Sequence, residues 1–149
     1  MNIATRELAV PCQRVRDVMA DGWTYPQWVV GNSRTRAVDP NWPAPGTSIR
    51  HSVGGWPLLI NDATIVENAD PPHELLLYAR LGPLGAAWIT IRLHETPMGC
   101  RVEMIERPVS GPVALIPDRL ALAAFYYRNR ECLLRLAALA ERLEPSQVK

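Results

Sequence analysis

The chain has 149 residues, 48% of them hydrophobic and 21% charged, with a formal net charge of +1. That length suits one domain, expected over residues 1–149, with a core large enough to stand without staples. The charge balance excludes the strong field that holds nucleic acid or an anionic membrane, and no apolar run is long enough to span a bilayer.

In chain order, residues 3–10 read as a first strand stopped by Pro11, which cannot donate to a ladder. Thr5, Arg6 and Glu7 interrupt this start before an apolar run can form, so no signal peptide is expected and the default location is cytoplasmic. Residues 12–20 form a short helix with Val15, Val18 and Met19 on one side, broken at Asp21-Gly22. Tyr25-Pro26-Gln27-Trp28 opens a second short helix that ends near Gly31-Asn32.

Six further strands follow, at 34–39, 47–53, 58–68, 74–81, 86–95 and 100–107. They are separated by a loop at 41–46 and by short turns rich in glycine and proline, including Gly54-Gly55-Trp56-Pro57 and Asp70-Pro71-Pro72. Such short connections favour antiparallel neighbours, since a parallel pair needs a long crossover. Alternation assigns the faces. Val102, Met104 and Glu106 share one parity; Ala87, Ile89, Ile91 and Leu93 share another apolar row, as do Leu75, Leu77, Ala79 and Leu81. His51 lies between Ile49 and Val53 in parity. Residues 58–68 allow either parity; Val66 inside brings Asp62 and Thr64 inside with it.

The last element, 118–144, is one long helix with the stripe Leu122, Tyr126, Asn129, Leu133, Leu136, Ala140 and Leu143. Arg128, Glu131, Arg135 and Arg142 fall away from the stripe, and Glu131 can pair with Arg135 at i,i+4. Tyr127 and Leu134 face outward and mark the helix side through which a homodimer would form. Val113, Leu115 and Ile116, just before the helix, are placed to cover a cavity mouth. The fold expected is α+β: a curved antiparallel sheet of seven strands around a long C-terminal helix, with two short helices after the first strand. A sheet facing a single helix must curl around it, and the curl tends to leave a cavity.

The cysteines Cys12, Cys100 and Cys132 are odd in number, widely spaced and without a CxxC. Neither a disulfide nor a zinc site is expected from them, and a reducing compartment fits. His51, His73 and His94 have no metal-ligand spacing; His73, in a turn, and His94, of outward parity, read as solvent-facing. There is no Gly-rich phosphate loop, no GxSxG and no HExxH. No metal, cofactor or nucleic acid is expected.

Several short motifs carry a resemblance. Val10-Pro11 precedes the first helix, followed by Asp21 and Tyr25-Pro26-Gln27-Trp28-Val29-Val30-Gly31. Pro45-Gly46-Thr47 opens the third strand, Asp70-Pro71-Pro72-His73-Glu74-Leu75 joins two strands, and Met98-Gly99-Cys100-Arg101-Val102 opens the last. In order and spacing these resemble the helix-grip fold of the START-like (SRPBCC) superfamily, which holds polyketide cyclase/dehydrase-type proteins, aromatase/cyclases and Bet v 1-like allergens. Cys100 departs from the Gly-Thr-Arg-Val that the family often has there. The resemblance covers nearly the whole chain and implies a cavity for an apolar, lipid-like or aromatic molecule, without fixing one chemistry.

Three polar residues from different elements carry the parity of an apolar face: His51, Glu106 and Asn129. Converging on one cavity they would orient a carbonyl or phenol. His51 would shuttle a proton and Glu106, desolvated, would act as an acid, which makes them the catalytic candidates. Tyr126, Met104, Ile91 and Trp28 complete the expected ligand wall. Trp23, Tyr25 and Trp28 are expected to plug one end of the sheet, while Trp42 and Trp56 are placed as lid residues or dimer contacts. The leading function is binding of a small hydrophobic or aromatic molecule, driven by apolar burial at about 25 cal/mol per Å². One alternative is a cofactor-independent polyketide cyclase or dehydratase. The other is an interaction protein whose interior is filled by its own side chains.

Overall fold

A computed structural model of the chain describes residues 3–55, 57–70 and 73–142. Trp56, Pro71, Pro72, Leu143 and Glu144, to which the sequence assigns turns and a helix end, lie outside the described residues.

The order is β1 (Ile3–Leu8), α1 (Cys12–Ala20), α2 (Tyr25–Trp28), β2 (Asn32–Val38), β3 (Ser48–Val53), β4 (Ile60–Asp70), β5 (Glu74–Arg80), β6 (Ala86–Thr96), β7 (Gly99–Ser110) and α3 (Asp118–Arg142). The strands form one sheet, β1-β7-β6-β5-β4-β3-β2, antiparallel throughout. Five hairpins therefore run in sequence from β2 to β7. Only β1 arrives from far along the chain, pairing Leu8 with Cys100 and Ile3 with Ile105. The hairpin between β6 and β7 passes so close to the end of β1 that a Cβ on Gly99 would collide with the backbone of Leu8 and Val10. Its φ of +146° also suits glycine alone.

The apolar rows fall on the concave face as their parity requires. Leu75, Leu77, Ile89, Ile91, Leu93, Val102 and Met104 are buried there. The ambiguous strand resolves with Thr64 and Val66 inside, and a bulge between Val66 and Asn68 then shifts the register. Pro108 does not end β7, which runs on to Ser110. Among the described residues β1 accompanies β7 only as far as Ile105, so Pro108 lies beside an unpaired edge, where its missing N–H costs no ladder bond.

The long helix packs over β1 and β7 and against α1 and α2. Its stripe is buried from Asn129 onward, through Leu133, Leu136 and Ala140, with Cys132 and Ala137 beside it. Leu122, expected in the same stripe, is 46% exposed, and Tyr126 is half-buried. The sheet thus grips the second half of the helix, and the first half stands away from it.

Two aromatic assignments change. Trp23, expected in the core, is 58% exposed in the 3-10 turn Gly22–Thr24 just before α2. Trp42, expected as a lid, is buried: its Nε1 donates to the Met19 carbonyl at 3.1 Å and its ring meets Tyr25 edge-on, centroids 5.6 Å apart. Tyr25 in turn packs on Trp28 at 4.7 Å, so this end of the sheet is closed by Tyr25, Trp28 and Trp42.

The cysteine reading is corrected outright. Cys12 and Cys100 form a disulfide, with Cα atoms 4.9 Å apart, and Cys132 is the buried free thiol. Wide spacing gave no hint because the pairing is non-local: opposite Leu8, Cys100 lies where the chain leaves β1 for α1. The bridge gives Cys100 a structural role, and it removes the argument for a reducing compartment.

Candidate functional site

A cavity of about 160 Å³ remains between the concave face, α2 and α3, so the interior is not filled by the protein's own side chains. It is smaller than the roughly 300–1,000 Å³ usual for pockets that hold drug-sized ligands. Of the residues expected at its wall, His51, Glu106, Met104, Ile91 and Trp28 line it, while Asn129 and Tyr126 do not. Tyr126 instead meets Tyr127 edge-on, with the Arg130 guanidinium 5.7 Å from its ring centre. Phe125 takes the place on α3 that the stripe assigned to Tyr126, one residue earlier on the helix.

The polar groups divide into two sets. On one wall, Arg128 Nη1 donates to Glu106 Oε2 at 2.7 Å and to Asn129 Oδ1 at 3.3 Å, while its Nε donates to the Val30 carbonyl at 3.0 Å. Glu106 is almost wholly buried. Burial pushes its carboxyl above the ordinary range, against the opposing pull of the Arg128 charge and of hydrogen bonds from Arg128 and Asn129. Arg128 was expected outside the stripe. A buried carboxylate at inward parity requires a cation, and that requirement is the one sequence signal that could have prompted a search for an inward arginine. Beside it, Cys132 Sγ accepts from the Val30 N–H at 3.3 Å, and burial pushes its thiol up, away from the reactive thiolate.

His51 stands apart from this set. Its Nε2 lies 3.0 Å from Thr64 Oγ1, a contact created by the same register that brings Thr64 inward. Arg36 donates to the carbonyls of His51 and Asp62, both at 3.1 Å, and so pins the backbone of β3 and β4 there. Burial lowers the His51 pKa, with the nearby Arg36 charge acting the same way and the Ala63 backbone and Asp62 opposing them. The surroundings thus disfavour the charged ring.

Three buried polar atoms on residues lining this cavity have no hydrogen-bond partner: Trp28 Nε1, Asn32 Oδ1 and His51 Nδ1. The backbone of Ala63 also faces the His51 ring, at a geometry short of a full hydrogen bond. An unmade hydrogen bond in a buried place costs about 1–3 kcal/mol, so their gathering around one void calls for an explanation.

A pH dependence follows from His51. In the unfolded chain it titrates near 6.5, and in the fold below that. Between these values the unfolded state binds more protons, so stability is lost as pH falls below about 6.5. Glu106 acts oppositely in its own window above 4.5, where the folded state takes up the proton more readily. The difference between the wild type and His51→Gln isolates the histidine. Urea unfolding at pH 8 and pH 5.5 is expected to show a smaller loss on acidification in the variant; equal losses would refute the assignment.

Two other hollows adjoin the cavity. A groove of about 740 Å³ runs between the unpaired edge of β7 and the first half of α3; Val113 and Ile116 line it, and Glu106 and Phe125 line both groove and cavity. Leu115, expected over a cavity mouth, is 83% exposed. A pocket of about 380 Å³ lies at the α1 end of the concave face. Among the described residues no group of three or more His, Cys, Asp or Glu side chains is placed to hold a metal ion, and no helix is long and apolar enough to cross a membrane. His73 is exposed, and His94 is partly exposed with its Nε2 3.2 Å from a carboxylate oxygen of Glu103.

No family model and no curated protein matches the chain. Solved structures do. A protein from Nitrosomonas europaea is similar with a TM-score of 0.72 at 18% identity, covering 95% of this chain and 94% of its own. Ara h 8.0201 is similar with a TM-score of 0.71 at 13% identity, over 94% of this chain and 96% of its own. The fold is the helix-grip fold. A di-domain ARO/CYC protein, StfQ of the steffimycin biosynthetic pathway, has it too, with a TM-score of 0.72 at 8% identity over 94% of this chain and 50% of its own. At these identities the helix-grip likeness concerns architecture alone, and the wall residues must be argued from this chain.

Proposed function

We propose that the protein binds a small, neutral, aromatic molecule bearing a polar substituent, in the cavity between sheet and α3. The observation that carries this reading is the set of unpartnered polar atoms, Trp28 Nε1, Asn32 Oδ1 and His51 Nδ1, on residues that line a mostly apolar void whose charged residues, Glu106 and Arg128, pair with each other. A ligand with a hydroxyl or carbonyl would supply the missing partners, and a ring would fill the carbon-lined remainder against Ile89, Ile91 and Met104. An apolar cavity of about 150 Å³ is known to accept benzene, so the volume here suits one ring rather than a fused polyketide. Neutrality follows from the charges: Glu106 and Arg128, the charged residues of this wall, satisfy each other, and a further buried charge would have no counterion.

The polar groups favour binding over catalysis. Glu106 is held by Arg128 and His51 by Thr64, so each is committed to a structural partner. Calorimetry with phenol, benzene and benzoate tests the reading. Phenol is expected to bind at least tenfold more tightly than either of the others. Ala79→Phe, which fills the void from β5, is expected to abolish the heat; benzene binding as well as phenol would refute the polar role of the wall.

A further inference from the structure

The pocket at the α1 end of the concave face has a different character from the cavity. Its 380 Å³ is walled by Met19 on α1, Ala44 on the loop between β2 and β3, and Leu75 and Leu93 on β5 and β6, and its lining is almost entirely carbon. Of the charged residues at its border, Glu74 is engaged by Arg92 at 2.7 Å and Arg16 donates to Gln13 Oε1 at 3.0 Å. The walls are preformed: Trp42 Nε1 fastens the loop to the Met19 carbonyl, and Gly46 N–H bonds to the Val66 carbonyl at 2.7 Å. Ile91 is the one described residue that lines both this pocket and the polar-edged cavity. The rows of β5 and β6 continue from one to the other, Leu75 to Leu77 and Leu93 to Ile89, with Ile91 as the partition.

We propose that this pocket is a second compartment of the same binding site, taking an uncharged hydrocarbon chain attached to the ring held in the cavity. The inference rests on the cavity reading above and adds the class of substituent. A lining that is almost entirely carbon favours apolar over polar groups, and each methylene buried there gains roughly 0.8 kcal/mol, about a fourfold tighter Kd. Ile91 must turn aside for the chain to pass, so a smaller residue opens the way.

The test is a calorimetric series from phenol through 4-methyl- to 4-pentylphenol against the full chain. The expected result is a fall in Kd of about fourfold per added methylene once the chain reaches past Ile91, steeper onset in Ile91→Ala, and a flat series in Ala44→Trp. Ala44 is exposed, and its backbone hydrogen bonds are open to any residue, so that variant is expected to fold; unchanged affinity for phenol itself reports that it has. Phenol binding with no gain along the series overturns the second compartment and leaves the cavity reading standing. A gain that Ala44→Trp does not remove also overturns it, since the chain then lies elsewhere. Failure of every member to bind overturns both.

Discussion

Arg128→Leu is expected to cost about 3–5 kcal/mol of folding stability, measured by urea or guanidinium unfolding, because it leaves the Glu106 carboxylate buried without its cation. The arginine ties three elements together: Val30 after α2, Glu106 on β7, and Asn129 on its own helix. Replacing both partners of a buried ion pair is far less costly than removing one. Arg128→Leu combined with Glu106→Gln is therefore expected to recover much of the loss, short of the part due to the Val30 carbonyl. The single variant should also become more stable on mild acidification, as Glu106, its pKa already raised by burial, takes up a proton. A loss under 1 kcal/mol in the single variant would show that the pair does not hold α3 to the sheet.

Breaking the Cys12–Cys100 bridge has an effect of the same order. The bridge closes a sequence separation of 88 residues, enclosing most of the sheet. Chain-entropy arguments put the stabilisation from so long a loop at about 4–5 kcal/mol, and measured losses on removing native disulfides fall around 2–5 kcal/mol. Unfolding with and without reductant, or of Cys12→Ala/Cys100→Ala, is expected to show that loss. Thiol titration of the unfolded, unreduced protein should find only Cys132, and all three of the chain's cysteines after reduction. Equal midpoints in both states, or three free thiols without reductant, would contradict the bridge.

The strands and helices were legible because each carries its own period. Leu75, Leu77 and Ala79 alternate, and so do Ile89, Ile91 and Leu93, and local alternation needs no knowledge of the partner strand. The parity of His51 and Glu106 followed from the same rule, and both side chains line the cavity. What escaped was whatever depends on where distant segments meet. The disulfide needs the pairing of β1 with β7. The exposure of Leu122 needs the point at which the helix leaves the sheet, which no periodicity encodes. Arg128 is one position from Asn129, and a long flexible side chain can reach around the helix to a buried carboxylate; its backbone position alone assigns it to the outside. Asn129 was read as a ligand contact, yet it serves Glu106 and Arg128. Trp42 sits in an irregular loop, where burial depends on the return of the chain over α1.

The unpartnered indole of Trp28 gives the most direct test of the cavity reading. The chain has five tryptophans, and their indole N–H groups give separate cross-peaks in a proton–nitrogen correlation spectrum. On titration with phenol, the account predicts that the Trp28 indole peak moves downfield as Nε1–H gains an acceptor, while exposed Trp23 stays in place. A Trp28 peak that does not move while phenol binds, or that moves no more than Trp23, would contradict the placement of a polar ring in this cavity.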